Sequence, residues 1–392
     1  MKLRDKRNYM EFEKYMELLQ KYKELCSGEI ERRKLYDFQI NILDEIVALE
    51  NLVRENEAKI KEQKGRKANN RQEKIEISNS INLMKDNIFH LKGDIIRVKE
   101  IMDALAYTLF SKFDLKNLGF GENTGYISGK KGLEKELEVL EKLLTNGKIA
   151  ILNDLTNCIK CGDITEKSDD RINLIEVKTS NGKNYRIIRQ ENKRKEIMNY
   201  LHNDNIDNFN GKHFERLYVE KQENYLVDLN DMIDCAITEN IVIEKMEDGL
   251  YYSVMFRPEK KDIEKLQDIK REVKKPICFN LNVFKNSKDL TNNPFLNFFD
   301  DVIDYWNFVI GDLIILVIVD LAVLEERFKN EEMEVKLINE GIWKLAVEFN
   351  NNGSVDEIKV SEHYFNRIAR DFLSLEYYIN TIITVVKKIR EM

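Results

Sequence analysis

Only 3 prolines and 16 glycines occur in 392 residues. So few helix breakers exclude a collagen-like or proline-rich chain and favour long uninterrupted elements. The five cysteines, at 26, 158, 161, 235 and 278, are odd in number and scattered. They form no disulfide framework and suit a reducing compartment, the cytoplasm. Cys158-Ile-Lys-Cys161 lacks the second pair that a zinc site needs, so both cysteines read as ordinary strand residues. The four histidines (90, 202, 213, 363) show no ligand or triad spacing. No Gly-x-Ser-x-Gly elbow is present, which leaves a serine hydrolase without support. An excess of positive charge is also missing: 63 Lys+Arg stand against 70 Asp+Glu, a net charge of -7. Any nucleic-acid site must therefore be a local basic patch. Long apolar runs are absent too. The greasiest stretch, Trp306 to Leu324, carries Asp312 and Asp320, and its unbroken apolar part is only Leu313 to Val319. A membrane span needs about 20 mostly apolar residues, so a buried helix or strand is expected there and no membrane partner.

What is present is 43% hydrophobic and 34% charged residues, the mix of a packed protein with long exposed helices. The first 110 residues carry helical periodicity. Ile42, Ile46, Leu49, Val53, Asn56 and Ile60 step by four and three, and so do Ile77, Ile81, Met84, Ile88, Leu91, Ile95, Val98 and Met102. Two such seams joined by a polar turn fit an antiparallel helical hairpin or an ordinary bundle. The second seam alone would extend roughly 40 Å. Asn56 in a core position would favour one register. Residues 113–132 are glycine-spaced, but Gly125 and Gly129 bracket only three residues and Lys130 is followed by Lys131. That departs from a phosphate-binding loop, and a linker is expected. Beyond it, residues 133–144 form an amphipathic helix. Three strand-like runs follow (KIAILND, TNCIKCGDIT, INLIEVKTS), then a basic helical stretch over 186–201. A last seam runs Phe365, Ile368, Phe372, Leu375, Ile379, Ile382, Val386, Ile389. From 213 onward strand-like runs (YYSVMF, PICFNLNVF) mix with helices, and the expected division is a helical region 1–112, a linker 113–132, an α/β domain 133–260 and a mixed, mainly helical domain 261–392.

The chemistry lies in the centre. Asp163 sits on one strand-like run and Glu176-Val177-Lys178 on the next, with KSDDR as the turn. Alternation puts Glu176 and Lys178 on one face of their strand. If the two strands pair, Asp163 and Glu176 come together, and a divalent cation resolves the repulsion between them. Oxygen-only ligands suit Mg²⁺, or Mn²⁺ in its place. Between Lys178 and Glu196 there are seven Lys/Arg against two glutamates, Glu191 and Glu196, an excess that a phosphate-tracking groove wants.

Gly162-Asp163 followed by Glu176-x-Lys178 resembles the signature of the PD-(D/E)xK phosphodiesterase superfamily, with Gly162 in place of the proline. Gly129-Lys-Lys-Gly132-Leu133-Glu134, with Leu137 and Leu140 following, is similar to the first core helix of its Mrr-like and nuclease-related branches. Arg189-Gln190 with Arg194 fits the basic helix after the last core strand. The likeness covers about 75 of 392 residues. It implies an α+β chain: a restriction-endonuclease-like core flanked by long helical, coiled-coil-like regions. It implies Asp163, Glu176, Lys178, Glu134 and Gln190 as catalytic, with Glu138 as the fallback for Glu134. Asp163, Glu176, Val177 and Glu134 become the metal set, and Lys183, Arg186, Arg189, Lys193 and Arg194 the phosphate contacts. The implied activity is Mg²⁺- or Mn²⁺-dependent cleavage of nucleic acid, DNA before RNA, in bacterial restriction or anti-phage defence. Helical regions would make a homo-oligomer, and a partner protein could activate it. The competing expectation is a coiled-coil assembly or sensor protein whose central domain binds nucleic acid or a partner without cutting.

Overall fold

The computed structural model describes residues 9–116, 118–119, 125–168, 171–177, 192, 194–199, 201, 205–209, 212–215, 222–285, 292–351 and 353–391. Helix and sheet are mixed. The chain divides into two compact units, Met1–Arg216 with Asp289–Asn297, and Leu217–Lys288 with Phe298–Met392.

The first unit opens with α1 (Tyr9–Cys26), α2 (Arg32–Gly65) and α3 (Arg71–Leu109). No proline interrupts them, so α2 and α3 run 34 and 39 residues, about 50–60 Å each. They fold back on each other around Asn70, whose side chain accepts the Glu73 N–H at 2.8 Å while the Glu73 carboxylate accepts the Asn69 N–H at 2.8 Å. Both heptad seams lie on the inner faces, and their burial is graded. Ile42, Ile46, Leu49, Val53, Leu91, Ile95, Val98 and Met102 are buried, whereas Ile60, Ile77, Ile81, Met84 and Ile88 near the turn are half-buried. Asn56 does not act as a register lock between helices. Its amide donates to Leu52 O of its own helix at 2.8 Å.

After α4 (Lys112–Leu115), helix α5 (Leu133–Thr145) leads into β1 (Ile149–Leu152), β2 (Ile164–Ser168) and β3 (Arg171–Ile175), an antiparallel meander in the order β1-β2-β3. Leu152 pairs with Ile164, and Ile164 with Ile175. The β strand expected over TNCIKCGDIT begins only at Ile164; the residues before it form an irregular connection. The outer edge of β1 is closed by a side chain. Gln39 of α2 accepts the Leu152 N–H at 2.9 Å and donates to Ala150 O at 3.1 Å, standing in for a missing strand. Helical residues 194–199 (α6) and the hairpin β4 (Asn205–Phe209) with β5 (Lys212–Glu215) follow.

The second unit contains α7 (Leu226–Glu239), β6 (Ile241–Glu247), β7 (Leu250–Phe256), α8 (Lys260–Glu264), α9 (Leu266–Glu272), β8 (Pro276–Asn280), α10 (Leu281–Phe284), α11 (Val302–Ile310), β9 (Leu313–Asp320), α12 (Leu321–Asn330), β10 (Met333–Glu340), β11 (Trp343–Asn351), β12 (Ser354–Ser361), α13 (Glu362–Arg370) and α14 (Leu375–Glu391). Two antiparallel sheets result, β6-β7-β9-β8 and β10-β11-β12. The greasy run is β9, an internal strand hydrogen-bonded on both edges, and its residues are buried or half-buried along its whole length. No described helix is long and apolar enough to cross a membrane. Because β7 pairs with β9, a boundary at 260/261 would cut a sheet, and among the described residues the stretch 261–392, expected to be mixed but mainly helical, carries five strands, β8 to β12. The last seam is broken at Phe372, which takes φ 51° between α13 and α14. Its residues from Phe365 to Val386 are buried within the unit, and Ile389 is half-buried.

Candidate functional site

One end of the β1-β2-β3 meander gathers the acidic residues. As β1 leaves the sheet, Asn153–Leu155 forms a 3-10 turn. The Asn153 side chain bonds Cys161 O at 2.8 Å and the Thr165 hydroxyl at 2.7 Å, which fixes Asp154 beside it. Across the sheet, Gly162 takes φ 73°. A Cβ there would stand 3.2 Å from Ile175 O. Proline cannot adopt that φ, so the glycine at the motif's proline position answers to a local backbone requirement. Asp163 follows. Its N–H donates to Ile175 O at 2.9 Å and its Oδ2 accepts the Val177 N–H at 2.7 Å.

The third acid comes from α5, and it is not the one expected. Glu136, Leu140 and Leu144 form the buried stripe of this helix, while Glu134 and Glu138 are exposed. At 100° per residue, positions two apart point nearly oppositely, so burying Glu136 turns both neighbours outward. Lys130, at the end of the Ile127–Lys130 turn, lies among the three carboxylates. Its Nζ is 2.7 Å from Asp154 Oδ2, 2.8 Å from either Glu136 oxygen and 3.5 Å from Asp163 Oδ1. Burial raises the Glu136 carboxyl above the usual range; the Lys130 hydrogen bond opposes this, and the charges of Asp163 and Asp154 add to it. Burial alone would lower Lys130, but hydrogen bonds to Asp154 and Glu136 outweigh it and raise the ammonium.

The roots of α2 and α3 hold this arrangement. The Glu50 carboxylate accepts the N–H groups of Ile127 and Ser128 at 3.1 and 2.7 Å, and Arg54 donates to Ser128 O at 2.5 Å. Within the stretch 113–132 expected as a linker, Ile127 and Ser128 are thus tied to α2. Asp103 accepts the N–H groups of Asn157 and Cys158 at 2.7 and 2.9 Å and the Asn157 amide at 2.9 Å. Lys99 is buried nearby, its ammonium pushed down by burial against the attraction of Asp154, Glu50 and Asp103.

Of the residues expected from sequence, Asp163 is in the cluster. Glu176 has its backbone bracketed by the two bonds of Asp163, yet its side chain is exposed because β3 ends at Ile175 and the ladder no longer fixes its face. Val177 touches the cluster through its N–H. Glu134 is exposed on the far side of α5. Arg194 donates to Leu174 O at 2.8 Å, so it braces β3 from α6. Lys178, Lys183, Arg186, Arg189, Gln190 and Lys193 lie outside the described residues. Sequence reasoning missed Lys130, Glu136 and Asp154. The usable signal was the spacing of four from Leu144 through Leu140 to Glu136; for Asp154 it was an acid at the end of an apolar strand.

Among the described residues, no three His, Cys, Asp or Glu side chains are gathered closely enough as placed to hold a metal ion; they are gathered around Lys130. No family model, curated protein or solved structure matches the chain.

Proposed function

We propose that the chain is a divalent-metal-dependent phosphodiesterase acting on nucleic acid, with DNA preferred to RNA. The observation that carries this reading is the convergence of Glu136, Asp154 and Asp163, from three elements, at one end of an antiparallel meander. All-oxygen donors of net negative charge suit a hard cation. To hold Mg²⁺ or Mn²⁺, Glu136, Asp154 and Asp163 would have to exchange Lys130 for the ion, with Glu176 at the rim. When bound, such an ion polarises a phosphate oxygen and lowers the pKa of a bound water. The chain's own part is positional: Asp163 ties the ends of β2 and β3 together through Val177, and Gln39 and Arg194 hold the flanking strands. Lys178, next in the chain, is the residue that the family likeness assigns to the attacking water. Oligomerisation through the helical regions, an activating partner and a role in defence remain parts of this proposal that rest on the likeness and the heptads.

Purified protein should nick plasmid DNA with Mg²⁺ or Mn²⁺, and Asp163→Asn should abolish the cut. Equal cutting by both proteins would overturn the reading. A second reading, a non-catalytic assembly or sensor protein, draws on two features: Lys130 already satisfies the carboxylates, and the Glu176 side chain is exposed. It requires that neither DNA nor RNA be cut under any metal.

A further inference from the structure

The turn between α2 and α3 concentrates positive charge in a chain whose net charge is -7. Lys61, Lys64, Arg66, Lys67, Arg71 and Lys74 stand there against two glutamates, Glu62 and Glu73. All six cations are exposed. Farther along the same helices cations are paired: Arg33 with Asp37, Lys92 with Glu57 and Arg97 with Asp94. At the tip, none of the six has an ion pair among the described residues. Glu73 is turned to the backbone, where its carboxylate accepts the Asn69 N–H at 2.8 Å. Residues 61–74 contain no aromatic side chain and nothing more apolar than Ala68. A protein interface is anchored by buried aromatic or aliphatic side chains, and an amphipathic membrane helix needs an apolar face. A phosphate backbone needs neither: exposed cations suffice, and the counterions they release drive the binding. The N-terminus of α3 adds the positive end of a helix dipole beside Arg71.

We infer that the tip of the α2–α3 hairpin is a sequence-independent contact for the phosphate backbone of duplex DNA. The inference rests on the reading of the chain as acting on nucleic acid, which selects the polyanion, and on no metal. Its reach is set by α2. Lys64 lies 14 residues beyond Glu50 in this unbroken helix, about 21 Å at 1.5 Å per residue. Glu50 in turn holds the turn of Ile127 and Ser128 beside the meander. That separation matches about six base pairs of duplex, so one duplex lying along α2 can touch both ends.

The test is binding of the full chain to a short fluorescein-labelled DNA duplex in EDTA, followed by anisotropy over a series of NaCl concentrations. The wild type should bind with a steep salt dependence. A variant combining Lys64→Gln, Arg66→Gln, Lys67→Gln and Arg71→Gln should bind about tenfold or more weakly, with its log–log salt slope reduced by about 2–4. Its melting temperature should equal that of the wild type, because the four side chains are exposed. A matched variant, Lys245→Gln with Lys261→Gln, Lys336→Gln and Lys359→Gln, removes the same charge from exposed lysines of the second unit. It should lose less than about threefold. No wild-type binding in EDTA, a tip variant within about twofold of the wild type, or equal weakening by the matched variant overturns the inference. Tip-dependent capture by phosphatidylserine vesicles in preference to the duplex overturns it equally. The cleavage reading fails separately: tip-dependent binding in EDTA with no cut under any metal sinks the enzyme and leaves the inference standing.

Discussion

Exchanging Glu136 for glutamine keeps the side chain's shape and removes one of the two shortest ionic partners of Lys130, at 2.8 Å. Hydrogen bonds to charged groups contribute about 1.5–3 kcal/mol each. If the carboxylate acts in the transition state, that range corresponds to roughly a 10- to 150-fold fall in cleavage rate. Folding should suffer less, because the charges of Asp163 and Asp154 repel Glu136 and the exchange relieves that repulsion. Glu134→Gln is the matched control. It lies two residues away on the exposed face of α5, where substitutions usually change stability by no more than about 0.5 kcal/mol. Its cleavage rate should stay within about twofold of the wild type. The assay is single-turnover cleavage of labelled duplex DNA with Mg²⁺, alongside thermal melts of all three proteins. Loss of activity in Glu134→Gln with retention in Glu136→Gln would refute the assignment and restore the arrangement that the sequence pattern implies.

Gly162→Ala should destabilise the first unit by about 1–3 kcal/mol, because alanine is strained in the left-handed region and its Cβ meets Ile175 O; urea melts that show no loss would contradict the backbone account. Gln39→Ala strips a buried N–H and a buried C=O of β1 of their partners, with an expected cost of about 2–4 kcal/mol; a loss below about 0.5 kcal/mol would mean that β1 does not need its surrogate neighbour. Burial raises Glu100 to about 7, with the charge of Asp103 adding and that of Arg97 opposing. A carboxyl raised in the folded state is fully favourable below its unfolded pKa, and that contribution is lost as pH rises toward the folded value. Stability should therefore fall between about pH 4.5 and 7 by on the order of 1–2 kcal/mol, discounted because the side chain keeps some exposure. Glu100→Gln should flatten that slope in pH-dependent urea melts, and an unchanged slope would assign it to other groups.

Periodicity carried much of the architecture. Ile42 through Val53 and Leu91 through Met102 are inner-face residues because a spacing of four and three maps onto one side of a helix in any context. The same rule puts Phe365 through Val386 in a core. It does not say whether that core belongs to one long helix or to two helices broken at Phe372, since a positive φ at a phenylalanine leaves no compositional mark. The meander was legible from Asp163, the short turn and the alternation in β3. Its registry with Gln39 was not, because a glutamine on α2 becomes an edge partner only when α2 lies beside β1.

The site shows the same division. Local spacing determined that acids flank paired strands near Asp163 and that an acidic amphipathic helix precedes them. Which acid faces inward was decided by the packing of α5, where burying Leu140 and Leu144 carries Glu136 inward and turns Glu134 to solvent. Lys130 and Asp154 are 24 residues apart, and only the closure of the turn onto Glu50 together with the 3-10 turn after β1 brings their charges within hydrogen-bond reach. Chain-local rules describe directions along one element. The meeting of charges from three elements is a property of how those elements pack, and only the tertiary structure holds it.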